Sequence, residues 1–370
     1  MSLASVLRCR DAASRWSHFR RSSFRRSWFR SSSFRTSSLC RAGLDRTAVL
    51  LALLACSDAD SAPRTPTAPV TPTAPAAPTG PTGPLTAGQV YTDRAGYVEY
   101  AVGEAPLVLV APHGGTQTPA GLPDRTCSAC VTVLDLNTLE LTRAVADTFR
   151  ARTGLRPHVV VNRLHRRKFD ANRDLAEATG GTRALDTTWL WMHAAIDSAR
   201  QRVGRAGGRG LLIDVHGHGH NVPRLELGYL LSASTLRQDD VTLTATATMG
   251  RTSIAQLAAT SRSTVDRGIA LLRGPNSLGG LLVARGVPAV PSPADPAPKV
   301  GEEYFTGGYN TERHGSLNGA SNGAALDAIQ IESHFPGIRD TETSRGVFAR
   351  ALVDALLVYL ARHYGWTPGA

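Results

Sequence analysis

Four apolar runs dominate this chain: residues 107–112 (LVLVAP), 158–164 (HVVVNRL), 210–217 (GLLIDVHG) and 328–335 (AIQIESHF). The first three do not alternate apolar with polar residues as a strand with one wet face does. Strands of this kind are covered on both faces, which requires a largely parallel or mixed sheet between layers of helix. Helical spacing between the runs agrees: residues 138–152 repeat through Leu141, Val145 and Phe149, with Asn137 and Glu140 placed like a capping box. Residues 187–204 and a stretch around 252–271 also read as helix. The C-terminal residues 344–365 form an amphipathic helix with Phe348, Leu352, Leu356, Tyr359 and Leu360 on one side. Residues 226–232 and 288–290 are further strand candidates. The expected fold is a three-layer α/β/α body.

That body begins near residue 88. Residues 1–56 form a leader and residues 57–87 a tether, which leaves one α/β domain over 88–370. The leader repeats Arg, Ser and Phe or Trp and lacks the apolar content to fold. It reads either as a basic arm or as sequence ahead of the true start. Arg46, the apolar residues 47–55 and Cys56 follow. The apolar core is too short to span a bilayer and suits a signal peptide. The Leu53-Leu54-Ala55-Cys56 ending resembles the lipobox of bacterial lipoproteins, which makes Cys56 the expected lipidation site and the cell envelope the expected location. If the lipobox is not used, the chain is secreted. Pro63, Pro66, Pro69, Pro72, Pro75, Pro78, Pro81 and Pro84 then recur every third residue. In a polyproline II helix such a segment reaches about 70 Å and holds a domain away from a membrane.

The net charge of +11 suggests nucleic acid until it is located. Eleven Arg and two Asp precede Cys56, so nine of those charges belong to the leader and two to the rest. Nucleic acid is therefore not an expected partner. Beyond the leader only Cys127 and Cys130 remain, and a small loop disulfide is the simplest use for them. A G-x-S-x-G elbow is missing, which disfavours a serine hydrolase.

The polar residues cluster where the apolar runs end, and in such sheets chemistry collects beyond the strands' C-terminal ends. His216 lies in Asp214-Val-His216-Gly-His218-Gly-His220. Strand alternation puts Asp214 on its face, as a carboxylate that orients a metal-binding imidazole. His218 and His220 fall in the following loop, at the mouth. His113 precedes two glycines that let the backbone turn close to a ligand. A catalytic zinc takes three protein ligands; Asp135 is the preferred third, with Asp124 as its rival and helix initiation as Asp135's plainer use. Arg166, Arg167, Asn172 and Arg173 form a cluster suited to a substrate carboxylate or a developing oxyanion, or else a solvated basic loop. Glu332, between Ile329, Ile331 and the strand's end, is either an ion-pair partner or a general base.

In this order, Pro112-His113-Gly114-Gly115, Asp170-Ala-Asn172-Arg173, Asp214-Val-His216-Gly, Gly307-Gly308-Tyr309 and Gln330-Ile331-Glu332 resemble the N-formylglutamate amidohydrolases. The set is more remotely similar to the zinc carboxypeptidases. The resemblance implies a phosphorylase/hydrolase-like fold and a zinc-dependent hydrolase of C–N amide bonds, with one Zn2+ per chain. It implies that His113 and His216 ligate zinc, Glu332 activates water, and Asn172 and Arg173 grip the substrate carboxylate. Arg166 or Arg167 would steady the oxyanion, and Tyr309 or His314 would face the substrate from a closing loop. The carboxypeptidases carry a Glu three residues after their first His, whereas this chain has Gln117 four residues after His113. The envelope leader points away from formylglutamate, towards N-acylated amino acids or peptides. The competing expectation is a surface lipoprotein that binds such molecules without cleaving them.

Overall fold

The computed structural model describes residues 80–369, apart from 128–129, 207, 261–266 and 318–325. The leader, Cys56 and most of the proline run lie outside the described residues. Among the described residues no helix is long and apolar enough to cross a membrane.

The strands are β1 (Val90–Thr92), β2 (Val98–Ala101), β3 (Leu107–Ala111), β4 (His158–Asn162), β5 (Gly210–His218), β6 (Leu225–Gly228), β7 (Ala289–Val290) and β8 (Leu326–His334). They form one sheet in the order β1-β2-β4-β3-β5-β8-β6-β7. The four long apolar runs are its parallel centre, with β4, β3, β5 and β8 side by side. Shorter β2 and β6 close the two sides antiparallel.

Both faces of this centre are covered, as continuous apolar runs require. Odd-numbered residues such as Leu109, Val161, Ile213 and Ile329 pack under two helices, α1 (Thr138–Thr153) and, near the C-terminus, Glu342–Tyr359. Even-numbered Val108, Val110, Val160 and Leu212 pack under the other face's helix, which bears Trp189, Met192 and Ile196. The helices in order are α1, α2 (Leu175–Thr179), α3 (Asp186–Arg205), six short ones from α4 (Ala233–Leu236) to α9 (Leu278–Val283), α10 (Tyr309–His314) and α11 (Glu342–Tyr359). Phe348, Leu352 and Leu356 on α11 are buried as the spacing predicts, and burial of each such side chain contributes roughly 1.5–3 kcal/mol.

Two local expectations are corrected. Asn137 does not cap α1: its φ of 65° and its side-chain bond to the Arg339 carbonyl, 2.8 Å, take it out of a capping box. The strand expected over 226–232 stops at Gly228, because Leu230 turns into the left-handed region at φ 66° and donates its N–H to Thr306. In the stretch around 252–271 the described residues include α7 (Ala255–Thr260) and α8 (Arg267–Leu272), and 261–266 lie outside the described residues.

The connections fix where a site forms. From β3 the chain passes through α1 to β4 on one side, then through α3 to β5 on the other. The direction of winding reverses at β3, so a crevice opens beyond the ends of β3 and β5, the position where open α/β sheets bind ligands.

Candidate metal centre

His113 leaves β3 at that crevice, and His216 stands near the end of β5. The pair of glycines after His113 is required by close passage: a Cβ on Gly114 would meet the first turn of α1, and one on Gly115 the backbone at Arg163 and Leu164. Asp135 enters from the turn before α1, where its carbonyl accepts from the Thr138 N–H and hydroxyl. These three residues are at least nine-tenths buried.

Their ligand atoms converge. His113 Nδ1 is 3.1 Å from His216 Nδ1 and 3.4 Å from Asp135 Oδ2, and His216 Nδ1 is 3.1 Å from the same oxygen. A tetrahedral zinc ion with bonds of about 2.0–2.1 Å holds its ligand atoms about 3.4 Å apart. The triangle therefore has the size and the donor set of a zinc site with a fourth position open.

The outer nitrogens of both rings are fixed by carboxylates. His113 Nε2 lies 2.5 Å from Asp170 Oδ1, and His216 Nε2 lies 3.0 Å from Asp214 Oδ2. Each carboxylate accepts the Nε2 proton and so leaves the Nδ1 lone pair facing the centre. Asp170 is held in turn by the buried guanidinia of Arg166 (3.0 Å) and Arg125 (3.4 Å). Burial opposes the charge on Asp170, but His113, Arg166 and Arg173 outweigh it and hold the carboxyl well below its usual range.

The pocket favours positive charge. Burial alone disfavours an imidazolium at His216, yet Asp214, Asp135 and Glu332 together push its pKa well above the ordinary value. Asp135 is likewise held well below the usual carboxylate range by His113 and His216, against the effect of burial. Glu332 behaves oppositely: burial first, then Asp135 and Glu226, raise it to about 8. Its Oε1 accepts from Gln330 Nε2 at 2.9 Å and stands 3.9 Å from His216 Nδ1, while its buried Oε2 has no hydrogen-bond partner. The Glu332 carboxyl, 3.9 Å from one of the triangle's ligand atoms, is placed to take a proton from water at the centre.

The basic cluster is split by the structure. Arg166 reaches the centre, with Nη1 3.4 Å from Asp135 Oδ1. Its neighbour Arg167 projects the opposite way, into solvent, and pairs with Asp124 at 3.7 Å. Asp124 is half exposed and also holds Lys168, so it stands away from the ligand triangle. Asn172 is at the centre, with Nδ2 3.2 Å from His216 Nε2 and Oδ1 accepting the Asn310 N–H at 2.7 Å. Arg173 does not enter; its Nε is bound to Glu177 of α2 at 2.9 Å.

The two residues of the expected closing loop also differ. Tyr309 opens α10 beside Trp189 and His193, half-buried near the centre's edge. His314, at the other end of α10, faces α3 instead, with Nε2 2.8 Å from His193 Nδ1 and Nδ1 3.5 Å from Asp197. A six-residue helix turns its two ends to different neighbours, which sequence spacing alone did not resolve. Gln117 pairs with Leu164 in an isolated bridge. Cys127 and Cys130 are joined as a disulfide in the loop ahead of α1.

Arg125, Asn310 and the role of Asp170 were not foreseen. Asp170 sat in a quoted motif, and its spacing of four from Arg166 is the one signal that joins them. Nothing local marks Arg125, which arrives from 45 residues away.

No protein-family model matches the chain, and no curated protein matches it. Among solved structures it is similar to the gene product Atu2144 from Agrobacterium tumefaciens, at 15% identity over 72% of this chain and 95% of that one, TM-score 0.40. It is similar to N-formylglutamate amidohydrolase from Ralstonia eutropha JMP134, at 16% identity over 71% and 96%, TM-score 0.41. A metallo-carboxypeptidase from Pseudomonas aeruginosa gives 13% identity over 74% and 64%, TM-score 0.33.

Proposed function

We propose that this chain is a zinc-dependent hydrolase of C–N amide bonds in N-acyl amino acids or peptides with a free carboxylate. The reading rests on one observation: His113 Nδ1, Asp135 Oδ2 and His216 Nδ1 meet within 3.4 Å, with the buried carboxyl of Glu332 3.9 Å from His216 Nδ1. A zinc ion held there supplies Lewis acidity toward water and toward the amide carbonyl. Glu332 Oε2 takes a proton from the attacking water, and the same carboxyl returns it to the leaving nitrogen as the C–N bond breaks. One amide and one water thus give one carboxylic acid and one amine. Gln330 keeps the other oxygen of Glu332 occupied and so aims Oε2. Asp170 and Asp214 keep both imidazoles in the tautomer that presents Nδ1.

Arg166 is engaged with Asp135 and Asp170, so its role is to position the ligand carboxylate and the support of His113. Arg173, half-buried at the edge, is the cation assigned to the substrate carboxylate, which would replace Glu177; Trp189, which donates to the Arg173 carbonyl, has Tyr309 as its neighbour. Cys56 anchors the enzyme at the cell envelope, and the proline segment is its spacer.

The test is amine release by the full chain, loaded with zinc, from a panel of N-formyl and N-acetyl amino acids and short peptides. Release that stops on chelation and returns with zinc supports the reading. Tight zinc binding without cleavage of any panel member overturns the hydrolase assignment.

A further inference from the structure

One strand farther across the same face lies a second set of ligand-type atoms that amide hydrolysis does not use. His216 of β5, Glu332 of β8 and Glu226 of β6 are direct cross-strand partners, so their side chains form one row. Glu226 is fully buried, and its ion-pair partner among the described residues is a histidine, His220, whose Nδ1 is 2.9 Å from Oε1. Neither Arg nor Lys is recorded in an ion pair with Glu226 or with Glu332 among the described residues. A carboxylate as buried as Glu226, without a guanidinium or ammonium on it, favours a cation beside it.

The residues around Glu226 supply its coordination. Ligand-type atoms of His218, His220 and Glu226 lie within 4.8 Å of one another. The outer atoms of two of them are held by backbone. His218 Nε2 donates to the Arg224 carbonyl at 2.8 Å, and Nδ1 accepts the His220 N–H at 3.1 Å, a bond that a metal ion at Nδ1 would replace. Glu226 Oε2 accepts the Phe305 N–H at 2.8 Å, which leaves Oε1 toward His220. A backbone carbonyl on the far nitrogen is how ligating histidines are usually oriented. The His220 ring is also fixed, stacked on Phe305 with centroids 4.7 Å apart. Its partial exposure provides an entry path.

We propose that His218, His220 and Glu226 form a second metal site, separate from the His113–Asp135–His216 triangle, that takes a divalent ion of the zinc class. Two imidazoles and one carboxylate select such an ion over calcium or magnesium, which prefer all-oxygen shells. The proposal does not depend on the chain being a hydrolase.

The experiment is zinc stoichiometry. The untagged full chain, its Glu226→Gln, His220→Ala and His216→Ala variants, and the Glu226→Gln/His216→Ala double variant are equilibrated with Zn2+. Weakly held metal is removed on a chelating resin, and the remainder is counted by mass spectrometry, with circular dichroism to confirm folding. The expected result is about two zinc ions in the parent, about one in each single variant and none in the double variant. If Glu226→Gln does not fold, His220→Ala, which alters a partly exposed ring, decides. A single ion in the parent that survives Glu226→Gln and His220→Ala but not His216→Ala overturns this site and leaves the first intact. A single ion lost with Glu226→Gln and kept by His216→Ala supports this site and overturns the first. No bound zinc in any form overturns both.

Discussion

His113 and His216 face each other through their Nδ1 atoms at 3.1 Å, while each Nε2 is held by its own carboxylate, Asp170 and Asp214. Two lone pairs at that distance, with a carboxylate oxygen of Asp135 equally near, repel unless a proton or a metal ion lies among them. The same two-sided arrangement favours a cation at the centre. Saturating zinc should therefore raise the thermal stability of the chain by binding linkage, about 2.7 kcal/mol at a hundredfold excess over Kd. The check is a denaturation series across zinc concentrations. His216→Ala should remove the part of this shift that the centre contributes.

Asp170 acts on the centre directly through His113, and through Arg166 on the ligand Asp135. Asp170→Asn keeps the shape but weakens the carboxylate that fixes the Nε2 proton, and it should lower zinc affinity by about 10–100-fold. Competition with a chromophoric chelator measures it. An unchanged affinity would show that the 2.5 Å contact does not set the tautomer.

Glu332 is assigned the proton transfer, so Glu332→Gln should retain zinc and ligand affinity while turnover falls by about 10²–10⁴-fold. Stopped turnover with intact binding, by calorimetry on an uncleaved substrate analogue, is the expected pair of readings. Retained turnover would move the base to another residue.

The parallel centre of the sheet was legible because its strands are covered on both faces and so carry an uninterrupted apolar code. Their polar ends were legible for the same reason, since Asp214, His216 and Glu332 interrupt that code. The edge strands β1 and β2 were not, because a three- or four-residue strand carries too little pattern to separate from a loop. Side-chain direction in loops was the other gap. Arg166 and Arg167 are adjacent and chemically alike, yet the fold buries one and exposes the other. His314 looked like a loop residue facing the substrate, and only the packing of α10 on α3 sends it to His193.

That contrast between two arginines is itself testable. Arg166 joins the ligand Asp135 to Asp170 inside the protein, and its removal leaves both carboxylates short of a partner. Arg166→Ala should destabilise the chain by about 3–5 kcal/mol and weaken zinc binding. Arg167→Ala, at an exposed pair 3.7 Å long, should change stability by no more than about 0.5 kcal/mol. Urea denaturation of both variants decides. Equal effects would contradict the orientations described.

A last prediction concerns pH, at the opposite end of β4 from the centre. His158 is buried, and its Nδ1 accepts both the Tyr100 hydroxyl, 2.9 Å, and the Gly103 N–H, 3.1 Å. Burial, aided by Arg202, lowers its pKa from 6.5 to about 3. The folded ring is thus neutral at a pH where the unfolded ring is charged. Between about pH 6.5 and 3 the unfolded chain binds the extra proton, so stability is complete above that window and falls as pH drops through it. The slope from this one group is about 1.4 kcal/mol per pH unit. His158→Asn keeps an acceptor near the position of Nδ1 and removes the titration. Subtracting its stability from that of the parent at each pH cancels the carboxylates common to both. The difference should be flat above pH 6.5 and decline below it. A difference that stays flat down to pH 4 would show that the buried ring takes up its proton without cost.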